Sequence, residues 1–380
     1  MKITDVRCVI FEWTSPQFEF RGPMRRLLGH RSVPHMIVRV LTDEGIEGNS
    51  SQYVTGNRGL AEHIETVLRP RLVGQDPIYV EAIWQKLWRL GRNTHPHTFI
   101  QGTIDVCLWD IVGKASGLPI YKMLGAYRDK VPAYASSQGC PTIEAIVEEA
   151  CDCVQQGYKG YKVHPFDPDH AHPKKDVEAC IALRKAVGDD IALMLDPYGL
   201  YNREQSLWVG RQLEELNFTW LEEPMPEWDI EGYSKLCEAL DIPILGPEIV
   251  GGSMFSTPEY ILRRAVDIVR SDVRIKGGIG PLKKTAGMAE AFGMNVEIHT
   301  CAAPLFNVAN LHVMCSIRNS DYHEVLVPAE WFSAGVVEDA KIDKEGYVTV
   351  PDKPGLGLEI DWKYINAHRM YETPPLSVTT

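Results

Sequence analysis

Three apolar runs of the sequence, 192–196, 218–222 and 242–248, each finish in a carboxylate: Asp196, Glu222 and Glu248. The steps between these acids are 26 and 26 residues, about one strand, one helix and two loops of a βα repeat. Short apolar runs separated by polar, helix-like segments read as buried parallel strands, so an acid at each C-terminal end sits at the mouth of the sheet. A lone acid there usually caps the following helix, but three at equal spacing make capping a poor common explanation. Carboxylates gathered on one rim repel unless a cation lies between them, and oxygen donors of this kind suit a hard ion such as Mg²⁺.

Nitrogen bases flank these acids in the sequence. Lys162 and His164 share one face of the run 160–164 by the two-residue period of a strand. Beside a carboxylate cluster, a buried Lys162 is expected to have its pKa lowered toward a range useful for proton transfer. His299 ends the run 295–299 and Asp272 ends the run 266–272, one strand earlier. Neighbouring strands let Asp272 accept from one imidazole nitrogen and direct the other toward a substrate. Glu324 stands on the last strand of the series, able to accept from a substrate or to pair with a lysine. Trp331 and Phe332 read as packing, and Cys151 and Cys153 as helix residues. A metal facing bases on two sides is what removal of a proton next to a carboxylate needs, because the enolate dianion so formed is too unstable in water without a cation.

These groups need a scaffold that brings strand ends together. Candidate strands end near Ser136, His164, Asp196, Glu222, Glu248, Asp272, His299 and Glu324, with intervals from His164 of 32, 26, 26, 24, 27 and 25 residues. Helical patterns such as 142–156 and 177–187 fill the gaps. Eight strands at this period fit a closed barrel better than an open sheet, and no glycine-rich phosphate turn follows the first strand. The fold class is therefore α/β, a TIM-type (β/α) barrel.

The first 127 residues have a different texture. Val6, Cys8 and Ile10 alternate with polar residues, 35–41 alternates again, and Thr42 to Gly45 forms a turn before the chain resumes at Ile46, which makes an antiparallel meander. Leu60, Ile64, Val67 and Leu68 then mark a helix expected to stop at Pro70. A second helix carries Ile104, Leu108, Ile111 and Val112 and ends at Gly117 to Pro119. This describes an α+β capping domain over 1–127, a barrel over 128–345, and a segment 346–380 that packs back on the cap and completes it.

Composition narrows the partners. The hydrophobic fraction is 44% and the charged fraction 24%, as in ordinary globular proteins. A net charge of −12 and a pI near 5.5 argue against nucleic acid or an anionic membrane surface. No apolar run reaches the roughly 18 residues of a membrane span. Nine cysteines without a disulfide framework, and no signal-like N-terminus, lead us to expect a cytoplasmic setting. A small anionic substrate must then be met by local positive charge, and the segment from Arg21 to Arg31, with Arg21, Arg25 and His30, is unusually basic for this chain.

The order of Lys162-x-His164, Asp196, Glu222-Glu223-Pro224, Glu248, Asp272 and His299 on successive strands resembles the enolase superfamily in its mandelate racemase and acid-sugar dehydratase branch. The similarity extends to 104–114 in the cap, to Gly277 and Gly278, and to 354–358. It implies Mg²⁺ on Asp196, Glu222 and Glu248, an Asp272–His299 dyad on one side, Lys162 and His164 on the other, Glu324 hydrogen-bonding the substrate carboxylate, and a specificity loop at 21–31. Two positions depart from the commoner pattern, His164 in place of a second lysine and Tyr198 two residues past the first metal acid; Tyr198 thus joins Arg21, Arg25 and His30 as a substrate-facing candidate. The expected reaction is dehydration of a hydroxylated acid sugar to a 2-keto-3-deoxy acid. Racemisation, epimerisation and cycloisomerisation pass through the same enolate. An inactive metal-bearing carbohydrate-binding barrel would need no bases beside its metal, and a lysine Schiff-base aldolase would need no three acids at its rim. A homo-oligomer is expected.

Overall fold

The computed structural model describes residues 1–14, 32–53, 57–94, 98–165, 167 and 169–376. Arg21, Arg25 and His30 lie outside the described residues.

The meander forms as three strands, β1 (Ile3–Thr14), β2 (Ser32–Thr42) and β3 (Glu47–Tyr53), paired antiparallel in that order. Its two faces are both covered. Val6, Cys8 and Ile10 pack with Met36, Val38 and Val40 against the cap helices, whereas Val9, Phe11 and Ile37 pack into the large core shared with the barrel. Strand periodicity thus sends alternate residues to two different cores. Pro70 does not end the first helical run: Asn57–His63 passes through a π-helical turn, Ile64–Leu68, into Arg69–Leu72, and Pro70 follows that turn, where the regular ladder is already interrupted. The helix Thr98–Ser116 stops as expected, with Gly117 at φ 71°.

That helix is buried on nearly every side, including two aspartates. Asp110 accepts from the backbone N–H of Asn49 at 2.9 Å and of Leu356 at 3.0 Å. Asp105 accepts from Ile279 N–H at 2.7 Å. A Cβ on Gly102 would lie 2.6 Å from the Val273 carbonyl, so only glycine permits this approach of helix to barrel loop.

Eight parallel strands follow: β4 (Lys130–Ser137), β5 (Gly160–Val163), β6 (Ala192–Leu195), β7 (Trp220–Glu222), β8 (Ile244–Gly246), β9 (Ile268–Ser271), β10 (Asn295–Ile298) and β11 (His323–Val327). Their order is β10-β9-β8-β7-β6-β5-β4-β11, and β10 and β11 come into contact, which makes a nearly closed barrel. Most helices between them bury one stripe, whereas Pro304–Met314 is buried on nearly every side. Ile143–Gln155, for example, is capped by Thr142, whose side chain accepts from Ala145 N–H. Inside the barrel, Tyr134, Met194, Trp220 and Leu245 form a small apolar plug, and charged residues stand above it.

After the barrel, β12 (Tyr347–Thr349) pairs antiparallel with β4, and β13 (Arg369–Glu372) pairs with β1 in the cap sheet. Among the described residues no helix is long and apolar enough to cross a membrane.

Candidate active site

Strand β5 sets the first group. Tyr161 and Val163 face the outer core, and the Tyr161 hydroxyl donates to Glu149 on the helix Ile143–Gln155 at 2.7 Å. Lys162 therefore points inward, 1% exposed. Its Nζ lies 2.9 Å from Glu222, 2.9 Å from Glu324 and 3.6 Å from Asp196. Burial and Arg270 press the Lys162 pKa down, yet Glu222, Glu324 and Tyr134 together carry it well above the ordinary lysine range. The lowered pKa expected from burial is thus overturned, since in this arrangement two carboxylates in contact outweigh desolvation.

His164 follows β5 directly. Its Nδ1 meets the Ser137 carbonyl at 2.5 Å, and because a carbonyl only accepts, Nδ1 is the donor of that bond. Nε2 is left facing Asp196 at 3.2 Å. Tyr198 stacks on the imidazole, with centroids 4.7 Å apart and planes within 14°. Tyr198 holds the left-handed φ of 55° that turns the chain back over the barrel, and its N–H donates to Asp196 at 2.9 Å. Burial alone would raise the Asp196 pKa, but Lys162, His164 and that N–H bring it down to about 2.

Glu222 ends β7, fully buried. It receives Lys162, Arg270 at 3.0 Å and the Trp220 indole at 3.1 Å. Glu248 lies two residues beyond β8, with Arg270 at 3.4 Å and His299 Nε2 at 3.5 Å. Glu324 is not at a strand end; it is the second residue of β11, opposite Tyr134 of β4. It reaches the same cluster from lower in the barrel, accepting from Arg270 at 2.6 Å and from Thr300 N–H at 3.0 Å. Arg270 and Lys162 hold its carboxyl well below the usual range against the effect of burial.

Arg270 is the residue that motif reading passed over. Fully buried, it bridges Glu222, Glu248 and Glu324. The signal was present, since Arg270 shares with Asp272 the inward face of one strand by the same two-residue period that selected Lys162 and His164.

The sixth and seventh barrel strands, β9 and β10, lead into a dyad. His299 follows β10, and its Nδ1 donates to Asp272 Oδ2 at 2.8 Å, while Asp272 Oδ1 accepts from Ile275 N–H. Burial lowers the His299 pKa, but Glu248 and Asp272 more than reverse it, so the imidazolium is favoured. Asp272 is depressed in turn, by His299 and Arg274 against burial.

Lys162, His164, Asp196, Tyr198, Glu248, His299 and Glu324 line one cavity of ≈380 Å³, together with Phe332, which sequence reading assigned to packing. Glu222 and Asp272 are not in its wall but stand behind Lys162 and His299. Strands β5 and β10 are separated by β4 and β11 one way round and by four strands the other, so the two bases occupy different walls.

The donor set of Asp196, Glu222 and Glu248 is all oxygen, matching a hard cation. Among the described residues these carboxylates do not form a ready-made ligand cluster, because their oxygens are turned to Lys162 and Arg270. Negative charge nevertheless exceeds positive here. Glu223, also in the cavity wall, has its pKa raised well above normal by burial and by Glu248 beside it, the mark of carboxylates short of a counter-ion. A divalent cation fits that excess.

This geometry can be compared with known proteins. Residues 145–364 match the family described as enolase C-terminal domain-like, and residues 15–125 match the mandelate racemase / muconate lactonizing enzyme N-terminal domain. The chain belongs to the enolase superfamily. Within it, the chain is 33% identical to an arabinonate dehydratase of Saccharolobus solfataricus over 78% of this chain and 80% of that one. It is 30% identical to an L-talarate/galactarate dehydratase of Salmonella typhimurium over 86% and 80% of the two chains. A crystal structure of D-glucarate dehydratase from Agrobacterium tumefaciens, complexed with magnesium, superposes with a TM-score of 0.88 at 35% identity, covering 97% of this chain and 99% of that one.

Proposed function

We propose that this enzyme is a Mg²⁺-dependent acid-sugar dehydratase, a carbon–oxygen lyase that converts a hydroxylated sugar acid to its 2-keto-3-deoxy acid. The observation that carries the reading is the pairing of Lys162 and His299 on separate walls of one cavity, with Asp196, Glu222 and Glu248 between. Its similarity to arabinonate, talarate/galactarate and glucarate dehydratases supports the same class. In this reading Asp196, Glu222 and Glu248 would hold Mg²⁺, which would supply the positive charge an enediolate requires, and these carboxylates would then pair less closely with Lys162. Lys162, once its pairing with these carboxylates is loosened and its proton lost to solvent, would take the proton at C2, with His164 beside it turning Nε2 to Asp196. His299, kept cationic by Asp272 and Glu248, gives a proton to the C3 hydroxyl as it departs. Glu324, already engaged by Arg270 and Lys162, fixes the lysine and accepts from the substrate carboxylate's neighbouring hydroxyl only through its remaining lone pairs.

The same reading divides the chain by task. Residues 1–127 set specificity, with Arg21, Arg25 and His30 among the expected contacts; 128–345 carry the chemistry; and 346–380 return to the cap. The absence of any disulfide among the described cysteines suits a cytoplasmic enzyme, and we take it to be a homo-oligomer. Bases on two walls also suit epimerisation. The test is a panel of aldonates and aldarates with Mg²⁺, following 2-keto acid formation and C2 proton exchange in D₂O. Keto-acid formation supports dehydration, exchange with inversion and no water loss would make the enzyme an epimerase, and neither would overturn the reading.

A further inference from the structure

Besides His299, two side chains in the cavity wall carry positive charge among the described residues, Lys162 and Arg274, and they are employed differently. Lys162 is bound by carboxylates at hydrogen-bond distance. The nearest carboxylate to Arg274 is Asp272, 3.7 Å from Nε and outside hydrogen-bond reach. That Nε is buried and has no hydrogen-bond partner. The guanidinium carbon lies 5.7 Å from the ring centroid of Tyr53, which the cap strand β3 brings into the same cavity. Arg274 is therefore a cation at the seam of cap and barrel, two residues beyond the dyad acid, on a loop pinned by the Asp272–Ile275 hydrogen bond.

Asp196, Glu223, Glu248 and Glu324 also face the cavity. Such a wall repels a substrate bearing two negative charges unless each meets its own cation. Mg²⁺ answers for the carboxylate next to the reacting carbon, and a second carboxylate needs another partner. We propose that Arg274 receives the far carboxylate of an aldaric acid, so that the enzyme selects sugar diacids over aldonic monoacids. This rests on the acid-sugar reading above. The forked guanidinium matches a carboxylate bidentately.

The test uses the full-length Mg²⁺-loaded protein and matched pairs that differ only at the terminal carbon: galactarate with galactonate, glucarate with gluconate, arabinarate with arabinonate. Turnover and calorimetric binding are measured for the wild type, Arg274→Met and Arg274→Lys. The expected result is a diacid preference of about tenfold or more in kcat/KM. Arg274→Met should remove it mainly through KM, with the diacid falling at least about tenfold further than its monoacid, and Arg274→Lys should restore part of it. Equal losses for both members of a pair would overturn the proposal by making Arg274 a support for the dyad, as would a wild-type preference for monoacids. If no acid is dehydrated but diacids bind more tightly than monoacids, and only while Arg274 is present, the dehydratase reading fails and this one stands. If no member of the panel binds, this proposal is overturned.

Discussion

The two walls of the cavity hold their bases in opposite ways. Lys162 is 1% exposed and tied by Glu222 and Glu324, which also share Arg270. His299 keeps 15% of its side chain open and has one close partner, Asp272. The lysine is thus a member of a buried ionic lattice, and removing it leaves carboxylates unpaired in a low-dielectric interior. The histidine is mounted on a single bracket, and an asparagine in its place still offers an N–H to the buried Asp272, so it can be exchanged at less structural cost. One wall couples chemistry to stability; the other separates them.

The sharpest way to break this contrast is Lys162→Ala. It is expected to lower turnover and C2 proton exchange by about 10²–10⁴, and in metal-free protein to cost about 3–5 kcal/mol in urea unfolding through the unpaired carboxylates. Mg²⁺ should return part of that stability. A variant as stable as wild type without metal would show that the lattice does not depend on Lys162.

His299→Asn is expected to lose overall turnover by about 10²–10⁴ while keeping C2 exchange and an unfolding midpoint close to wild type. Loss of exchange in this variant, with exchange kept in Lys162→Ala, would reverse the two roles.

The pH profile tests the bracket itself. With His299 as the proposed acid, kcat is expected to fall as pH rises through its pKa, which Glu248 and Asp272 hold above the ordinary histidine value against burial. Asp272→Asn removes one of these anions, and the alkaline limb should move to lower pH. A limb that stays in place would mean that another group controls it.

The smallest effect is expected from Tyr198→Ala, which removes the ring stacked on His164. Such a contact is worth about 1 kcal/mol, or roughly fivefold in rate if it serves only to orient the imidazole. A loss as large as that of His299→Asn would make Tyr198 a participant.

The sequence displayed some of this directly. Asp196 and Glu222 each close or follow an apolar run, and Lys162 and His164 share a strand face, so strand periodicity sufficed to find them. Arg270 escaped because only the acid that closes its run was weighed, and its importance comes from three carboxylates on three other strands. Glu324 was found for a partly mistaken reason, since its strand continues to Val327 and the residue enters the site from below the rim. The protonation of Lys162 was not legible at all, because it depends on how many carboxylates the closing barrel brings within 3 Å. In the cap, Val6, Cys8 and Ile10 announced one buried face of β1, while Val9 and Phe11 face a core that exists only once the barrel is in place.

The pairing of β1 with β13 has a consequence for the order in which the protein is made. Cys8 and Thr373, hydrogen-bonded at 2.8 Å, are 365 residues apart. At a synthesis rate of about 5–20 residues per second, β1 leaves the ribosome roughly 20 to 70 seconds before its neighbour exists. Through that interval its outer edge offers unpaired backbone groups to any passing strand. The cap sheet is thus begun before the barrel is made and closed only after it, so the exposure of β1 to misassembly lasts through the whole of the barrel's synthesis.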